Sequence, residues 1–222
     1  MHNRRLPALP LALLMAGCAA QTAPMASAPA TQAGPAASTA AEDARLLAFL
    51  DAAFDAQVAL SPEYLTSLGS RQDYDRLGDY TLESDARSLA LAERQLAEMR
   101  ASFDPANLGP SARLSYDLFE RQVERDRESA RFDAYSFPVS TNGTPAGSIP
   151  VFLINQHKVA SVSDAEAYIA RLRDSERVMR ETVAVMRQQA EMGIVPPAMV
   201  FEPATADARS ILEGAPFTDG AD

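Results

Sequence analysis

Histidine, the side chain that most often serves as a general base or zinc ligand near neutral pH, is scarce in this sequence of 222 residues. The two histidines are His2 and His157. A helix of the HExxH type needs two histidines four residues apart, with a glutamate between them to activate water, and the sequence contains no such motif. Because His2 lies in a segment that we expect to be removed, His157 would be the single histidine of the mature chain. We predict a loop or packing role for it, with catalysis or metal binding as the less favoured alternative.

The sequence also offers little for nucleophilic catalysis. A serine nucleophile would have to use His157 as its base, and the G-x-S-x-G turn is absent, since Ser148 follows Gly147 without the second glycine at the required place. The single cysteine is Cys18, which lies before the predicted domain. The folded part is therefore expected to contain neither a thiol nucleophile nor a disulfide.

Acidic side chains are plentiful, with 30 Asp and Glu, but their spacing selects no catalytic pair. The segment with Asp73, Asp75 and Asp79 resembles an oxygen-rich calcium loop. However, Gly78 is at the wrong position for such a loop, and the final bidentate glutamate is absent. We assign no catalytic residue, no metal ligand and no cofactor to this chain from its residues.

The first 17 residues have the three parts of a bacterial export signal. Arg4 and Arg5 form the basic start, an apolar stretch runs from Leu6 to Met15, and small residues precede Cys18. The apolar stretch is shorter than the roughly 20 residues that a membrane-spanning helix needs. The run LMAGC at residues 14–18 resembles a lipobox, so we expect residues 1–17 to be cleaved and Cys18 to carry lipid. A soluble periplasmic protein is the alternative.

Residues 18–41 are predicted to be the lipidated cysteine and a disordered tether. The segment consists mainly of Ala, Pro, Ser and Thr and has no charged residue, so it cannot bury enough apolar surface to order itself. The lipid on Cys18 would hold the protein to a membrane on the periplasmic side of the cell envelope. Ala19, in place of the aspartate often linked to inner-membrane retention, slightly favours the outer membrane.

The net charge of −10 argues against nucleic acid as a partner. Loss of Arg4 and Arg5 with the signal would take the mature chain to −12, and its lysine, Lys158, and arginines are mostly interleaved with acids. A phosphate-binding face needs clustered and unopposed basic side chains. The net charge does not indicate which fold the chain adopts.

Residues 42–222 are predicted to form one mainly α-helical domain with several long amphipathic helices. Apolar residues recur three and four positions apart over 42–60, 81–103 and 110–131, and the charged end of the third helix, residues 121–131, is predicted to be a solvated face. Ser61 and Pro62 have the pattern of a helix N-terminus, which opens a short turn that Gly69 closes. A loop is expected over 70–80.

A further long helix is predicted to begin at a capping box formed by Ser163 and Glu166 and to end at Gly193. A short helical segment is expected over 204–212. The long helix has one apolar stripe, the pattern of a core-facing side. The stripe consists of Tyr168, Ile169, Leu172, Met179, Val183, Met186 and Ala190.

Residues 132–160 are predicted to be one long irregular loop. Pro138, Pro145, Gly147 and Pro150 are expected to break any helix there. The apolar run at 151–154 is short enough for a single strand.

Five short motifs, in order, resemble the N-terminal part of the DUF885 family of bacterial proteins. They are SPEYLTSLG at 61–69, DYDRL at 73–77, LSYDL at 114–118, AEAYIARL at 165–172 and GIVPP at 193–197. The second to last is similar to the family's "da-YlaRL" segment and the last to its "GivpP" segment. The resemblance covers roughly residues 42–212.

This resemblance implies a helical, zinc-dependent peptidase of the zincin type, often a lipoprotein, with peptides as substrates. The family's metal motif, of the HE-x-x-P-G-H-H kind, lies downstream of everything matched here, so zinc is implied for full-length members and no catalytic residue can be transferred. We expect this chain to be the N-terminal portion of such an enzyme and not to be catalytic alone. Residues 132–154, with Tyr135 and Asn142, are expected to line the substrate cleft. A non-catalytic helical binding module of the envelope is the alternative.

Overall fold

Seven α-helices dominate the computed structural model, which describes residues 35–214. The predicted mainly α fold is confirmed, and no strand is formed over these residues. The helices are α1 (Pro35–Val58), α2 (Pro62–Ser67), α3 (Leu82–Ser102), α4 (Pro110–Ala130), α5 (Pro145–Asn155), α6 (Val162–Glu191) and α7 (Phe201–Leu212). The first begins before the predicted Glu42 and the last before the predicted Ala204.

The ends of several helices follow from local sequence signals. Ser61 Oγ accepts a hydrogen bond from the backbone N–H of Tyr64, and Pro62 occupies the first turn of α2, where a missing N–H costs nothing. Gly69 closes this turn with φ of +86°. At the end of α6, Gly193 has φ of +76° and the Ile194 N–H bonds back to Gln189. Both closures were predicted, because few residues other than glycine adopt positive φ without strain.

Helices α1, α3 and α4 pack together around the first hydrophobic core. The apolar spacing predicted these three helices, and their packing on one another is a finding of the structure. The buried members of this core are Leu46, Leu96, Met99, Phe103, Ala112, Tyr116 and Val123. Each fully buried leucine, methionine, phenylalanine or valine contributes about 1.5–3 kcal/mol, so this cluster anchors the N-terminal half of the fold.

The charged end of α4 is exposed to solvent, as predicted, but its ion pairs run between helices. Arg100 of α3 bonds Glu120 and Glu124 of α4, and Arg127 of α4 bonds Glu93 of α3. These pairs are largely exposed, so each contributes at most about 1 kcal/mol.

The predicted loop with a strand at 151–154 is wrong, because α5 occupies that segment. Thr144 caps this helix by accepting from the Gly147 N–H, and Pro145 takes the first position. Pro150 lies inside the helix, whereas Ile149 and Leu153, four residues apart, are buried in a second hydrophobic core. Burial of this face outweighs the loss of one helical hydrogen bond at the proline. Irregular structure remains only on either side of α5.

Helix α6 begins two residues earlier than predicted. Its cap is Ser161, whose hydroxyl accepts from the Asp164 N–H, and not Ser163. The same S-x-x-acid pattern is therefore used, shifted by two positions toward the N-terminus.

The buried side of α6 also differs from the predicted apolar stripe. This buried side, which we call the inner face, consists of Asp164, Ala167, Arg171, Val178, Thr182, Val185 and Gln189. Ile169, Leu172 and Val183 of the predicted stripe expose 44–48% of their surface. The sequence pattern misassigned the sides because polar side chains, and not only apolar ones, are buried here.

Candidate functional site

Arg171, at the centre of the inner face of α6, is fully buried. Its guanidinium donates to the carbonyl oxygen of Arg76 at 2.9 Å, to Thr66 Oγ1 at 2.7 Å and to the carbonyl oxygen of Pro62 at 3.2 Å. No carboxylate forms an ion pair with it among the described residues, and burial lowers its pKa. Glu63 and Asp75 attract the charge without bonding to it, so this buried cation depends on its hydrogen bonds to neutral partners.

His157 is the neighbour of Arg171 and is also buried. Its Nδ1 lies 2.9 Å from Arg171 Nη1, and its Nε2 lies 2.9 Å from the carbonyl oxygen of Asp164. A guanidinium can only donate, so Nδ1 accepts and Nε2 carries the proton that is donated to Asp164. Burial is the main cause that lowers the pKa of His157, and Arg171 adds to it. His157 is therefore neutral with both ring nitrogens occupied, in agreement with the predicted packing role.

Aromatic rings enclose this pair. Tyr74 stacks on the His157 ring with centroids 4.0 Å apart, and Tyr168 meets it edge-on at 5.2 Å. The guanidinium of Arg171 lies 4.9 Å from the Tyr74 ring and 5.2 Å from that of Phe152. These rings supply cation–π attraction in place of a carboxylate. The contacts of Arg171, His157 and these rings connect α2, the loop at 70–80, α5 and α6.

The loop at 70–80 is held by side chains that accept hydrogen bonds from its backbone. Asp174 accepts from the Leu77 N–H at 2.9 Å, and Glu181 accepts from the Tyr80 N–H at 3.1 Å. Glu63 accepts from the Gly78 N–H. These three carboxylates come from α2 and α6 and fix the loop on the domain.

The three aspartates of this loop do not converge. Asp73 pairs with Arg76, and Asp79 pairs with Arg87 and accepts from Thr81. Over residues 35–214 no group of three or more histidine, cysteine, aspartate or glutamate side chains could hold a metal ion. The donors of this part of the chain, with His157 occupied at both nitrogens, do not fit the zinc that the family resemblance implies.

An open cleft of about 540 Å³ lies beside α5. Its walls carry amide and hydroxyl groups next to an apolar surface. The cleft is lined by Asn142, Gly143, Thr144, Gly147, Ser148, Val151, Phe152, Asn155, Gln156 and Asp207. Asn142, one of the two residues expected at a substrate cleft, is therefore at its rim.

The floor of the cleft is a contact between α5 and α7. Thr144 Oγ1 donates to Asp207 Oδ2 at 2.5 Å and accepts from the Gly147 N–H at 3.2 Å. A Cβ atom at Gly147 would lie only 2.7 Å from Asp207 Oδ2. The Asp207 carboxylate thus sits over the N-terminus of α5, where the helix dipole favours a negative charge. Asp207 was not singled out from the sequence, because it lies 63 residues after Thr144 and no local motif marks it.

Tyr135, the second residue expected at the substrate cleft, lies elsewhere. It ends a 3₁₀ turn at Asp133–Tyr135 and exposes 60% of its surface. It is not part of the wall of the cleft beside α5. The structure therefore does not bring Tyr135 and Asn142 to one cleft.

The predicted lipid-attachment residue, Cys18, and the signal at 1–17 lie outside the described residues. Among residues 35–214, none of the helices has the length and apolar character that crossing a bilayer requires.

Comparison with known proteins assigns the chain to a family. Residues 62–221 match the family described as a bacterial protein of unknown function, DUF885. No curated protein and no solved structure matches the chain. Because this match covers most of the sequence and agrees with the five short motifs, the chain belongs to the DUF885 family.

Proposed function

We propose that residues 42–222 are the N-terminal helical portion of a zinc-dependent peptidase that is tethered to the bacterial envelope by lipid on Cys18. The observation that carries this proposal is the family match over residues 62–221. In the DUF885 type, zinc and the catalytic glutamate are expected from an HExxH motif, and this sequence contains none. The helical portion would then support substrate binding and would not catalyse hydrolysis alone.

The arrangement of the inner face of α6 supports a scaffold role. Arg171 and His157 connect α2 and the loop at 70–80 with α5 and α6, which lie much later in the sequence, and every nitrogen of the two side chains is hydrogen-bonded. A general base must reach the proton that it removes, and His157 is 4% exposed with both nitrogens bonded. The role of this network is to position elements.

The cleft beside α5 is where we place part of a peptide substrate. Asn142, Asn155 and Gln156 offer amide groups that can donate to and accept from a peptide backbone. Val151 exposes 58% of its surface there and would contact an apolar substrate side chain. The proposed binding contribution rests on Asn142, while Tyr135 would contact substrate only at a separate place.

A direct test of the peptidase assignment reads the genomic DNA after the codon for Asp222. An in-frame HExxH motif is expected, and an immediate stop codon followed by an unrelated gene would contradict the assignment.

The lipid anchor is tested separately, because mass spectrometry should find an acylated N-terminal peptide that begins at Cys18. The Cys18→Ser variant should leave the membrane fraction.

The substrate cleft is tested in a full-length relative with measurable peptide hydrolysis. Alanine at the positions equivalent to Asn142 and Tyr135 is compared with alanine at the position of Asn107, an exposed asparagine on a 3₁₀ turn. Loss of one amide contact is expected to raise KM about three- to tenfold at the Asn142 position. If KM and kcat are unchanged there, Asn142 does not bind substrate.

A further inference from the structure

The segment that forms most of the cleft beside α5 lacks charged side chains. Residues 134–157 contain no Asp, Glu, Lys or Arg, although 23% of the whole chain is charged. Among the residues that line the cleft, Asp207 of α7 is the one with a charge. A single carboxylate in otherwise neutral surroundings therefore sets the electrostatic character of this cleft.

No basic side chain neutralises Asp207 within residues 35–214. Thr144 Oγ1 donates to its Oδ2 at 2.5 Å, whereas its Oδ1 accepts no hydrogen bond from this part of the chain. The N-terminus of α5 supplies about half a positive charge, which compensates the carboxylate only in part. Asp207 therefore keeps negative charge and one oxygen that can accept from a ligand.

The other charged residues near Asp207 in the sequence lie on different sides of α7. At about 100° per residue, Arg209 is about 200° around the helix from Asp207, and Glu202 is about 140° from it. Both side chains are exposed, and neither lines the cleft. Lys158, the first basic residue after the neutral segment, lines a separate pocket. These groups therefore leave the charge of the cleft as Asp207 sets it.

The position of the carboxylate is fixed by two residues of the α5 N-terminus. Thr144 caps the helix and donates to Asp207. Gly147 leaves space for the carboxylate, since a Cβ there would lie 2.7 Å from Oδ2 and 2.9 Å from Oδ1. Glycine is unfavourable inside a helix, so the stability of α5 itself does not account for it. The close approach of Asp207 does.

A lysine or arginine side chain of a peptide matches these features. Its cationic end can donate to the Asp207 carboxylate, and its methylene stem can pack on an apolar surface. Val151, which exposes 58% of its surface in the cleft, supplies that surface. The side-chain amides of Asn142 and Gln156 make no hydrogen bond to the described residues and can therefore bond a peptide backbone.

We propose that the cleft beside α5 selects peptides with a lysine or arginine side chain, which bonds the carboxylate of Asp207. This inference rests on the proposed peptide-binding role of the cleft and adds the kind of residue that it prefers. Asp207 contacts the bound side chain and takes no part in bond cleavage. A peptide with an acidic residue at the same place would be repelled.

Two other cations fit the cleft less well. A divalent metal ion needs several charged oxygen ligands, and residues 35–214 contain no group of three or more histidine, cysteine, aspartate or glutamate side chains that could hold one. A free diamine needs a carboxylate for each of its ammonium groups, and the lining of this cleft offers one. A single basic side chain satisfies both the carboxylate and the apolar wall.

The test measures binding of the whole chain to three short peptides by NMR titration. The peptides have blocked termini and differ at one central residue, which is lysine, norleucine or glutamate. Norleucine has the stem of lysine without its ammonium group. The lysine peptide should bind about tenfold more tightly than the norleucine peptide, because a charge-assisted hydrogen bond is gained, and the glutamate peptide should bind most weakly. Equal affinity for lysine and norleucine, or no binding of either, overturns the proposal.

Substitution of Asp207 separates recognition of charge from a structural role. Asp207→Asn keeps a carbonyl oxygen that can accept from Thr144, so the norleucine peptide should bind as in the parent. The preference for lysine should fall below about twofold. Glu202→Gln is the matched control, since it removes the same charge from an exposed position of the same helix, and it should keep the preference. A preference that survives in Asp207→Asn, or is lost equally in both variants, refutes the role of Asp207.

The place of binding is read from the same titration. The backbone amides of Gly147 and Ser148, which line the cleft, should shift on addition of the lysine peptide, whereas that of Gly109 at the start of α4 should not. Val151→Ser should weaken the lysine and norleucine peptides alike, because both stems lose an apolar contact. Shifts of equal size at Gly109 and Gly147, or unchanged affinities in Val151→Ser, contradict binding in this cleft.

The outcomes distinguish this inference from the peptidase proposal. Equal binding of the lysine and norleucine peptides would leave a peptide-binding cleft in place and exclude its preference for a basic residue. A lysine preference that Asp207→Asn abolishes would support the inference even if no HExxH motif follows Asp222. Tighter binding of 1,5-diaminopentane than of the lysine peptide would assign the cleft to a free amine and overturn the inference.

Discussion

Replacement of Arg171 by methionine should destabilise the domain more than other single substitutions on α6. Methionine fills much of the volume but donates no hydrogen bond, so the Arg76 carbonyl oxygen, Thr66 Oγ1 and His157 Nδ1 lose the guanidinium as donor. The Pro62 carbonyl oxygen keeps the Thr66 hydroxyl as a donor. Each buried acceptor left without a partner costs about 1–3 kcal/mol. Removal of the buried charge offsets part of this loss. We expect the free energy of unfolding to fall by about 3–5 kcal/mol, a large fraction of the typical 5–15 kcal/mol.

The measurement is urea unfolding followed by circular dichroism, with Arg173→Met as the control. Arg173 lies two residues further along α6, is exposed and has no bonded partner among the described residues, so its substitution should change the free energy by no more than about 0.5 kcal/mol. A loss below about 1 kcal/mol for Arg171→Met, or equal losses for the two variants, would refute the view that the guanidinium holds these elements together.

Two further predictions concern His157 and Gly147. Because burial lowers the pKa of His157, the folded state binds fewer protons than the unfolded state, so the free energy of unfolding should fall as the pH decreases below about 6.5. The free energy of unfolding should depend less on pH in His157→Gln than in the parent protein. Identical pH profiles for the two proteins would contradict this assignment to His157. Gly147→Ala should lower the free energy of unfolding by about 1–3 kcal/mol, since the new Cβ would meet Asp207, although alanine normally favours a helix. The double variant G147A/D207A should recover part of the loss by the same urea assay, and a simple sum of the two single losses would exclude the clash as the cause.

The helices that the sequence predicted correctly are those whose signals are local. Ser61 and Pro62 start α2, Asp104 and Pro105 follow the end of α3, and Gly193 closes α6, each through the backbone conformation of the residues themselves. The first core was predictable as well, because its helices bury apolar residues at regular spacing.

Helix α5 was missed although the same local signal was present. Thr144 and Pro145 repeat the pattern of Ser61 and Pro62, a capping side chain followed by proline in the first turn. Pro150 and Gly147 obscured it, since both residues disfavour a helix on propensity alone. Tertiary burial of Ile149 and Leu153 decided the outcome.

The inner face of α6 could not be predicted from the sequence. Arg171 bonds Arg76 and Pro62, which precede it by 95 and 109 positions, through backbone carbonyls that every residue has. The hydroxyl of Thr66, 105 positions earlier, is equally remote in the sequence. No periodicity marks such a contact. The cleft beside α5 depends in the same way on Asp207 of α7, which bonds Thr144 from 63 positions further along the sequence.

The polar inner face of α6 also fixes how the other side of that helix is presented. Apolar contacts tolerate a small rotation or slide of a helix, whereas the hydrogen bonds of Arg171, Asp174 and Glu181 are directional and tied to particular backbone atoms. A shift by one residue would turn α6 by about 100° and break all of them. The solvent-exposed side of α6 is therefore held at one angle to the rest of the domain, although the residues that fix this angle lie on the buried side of the helix.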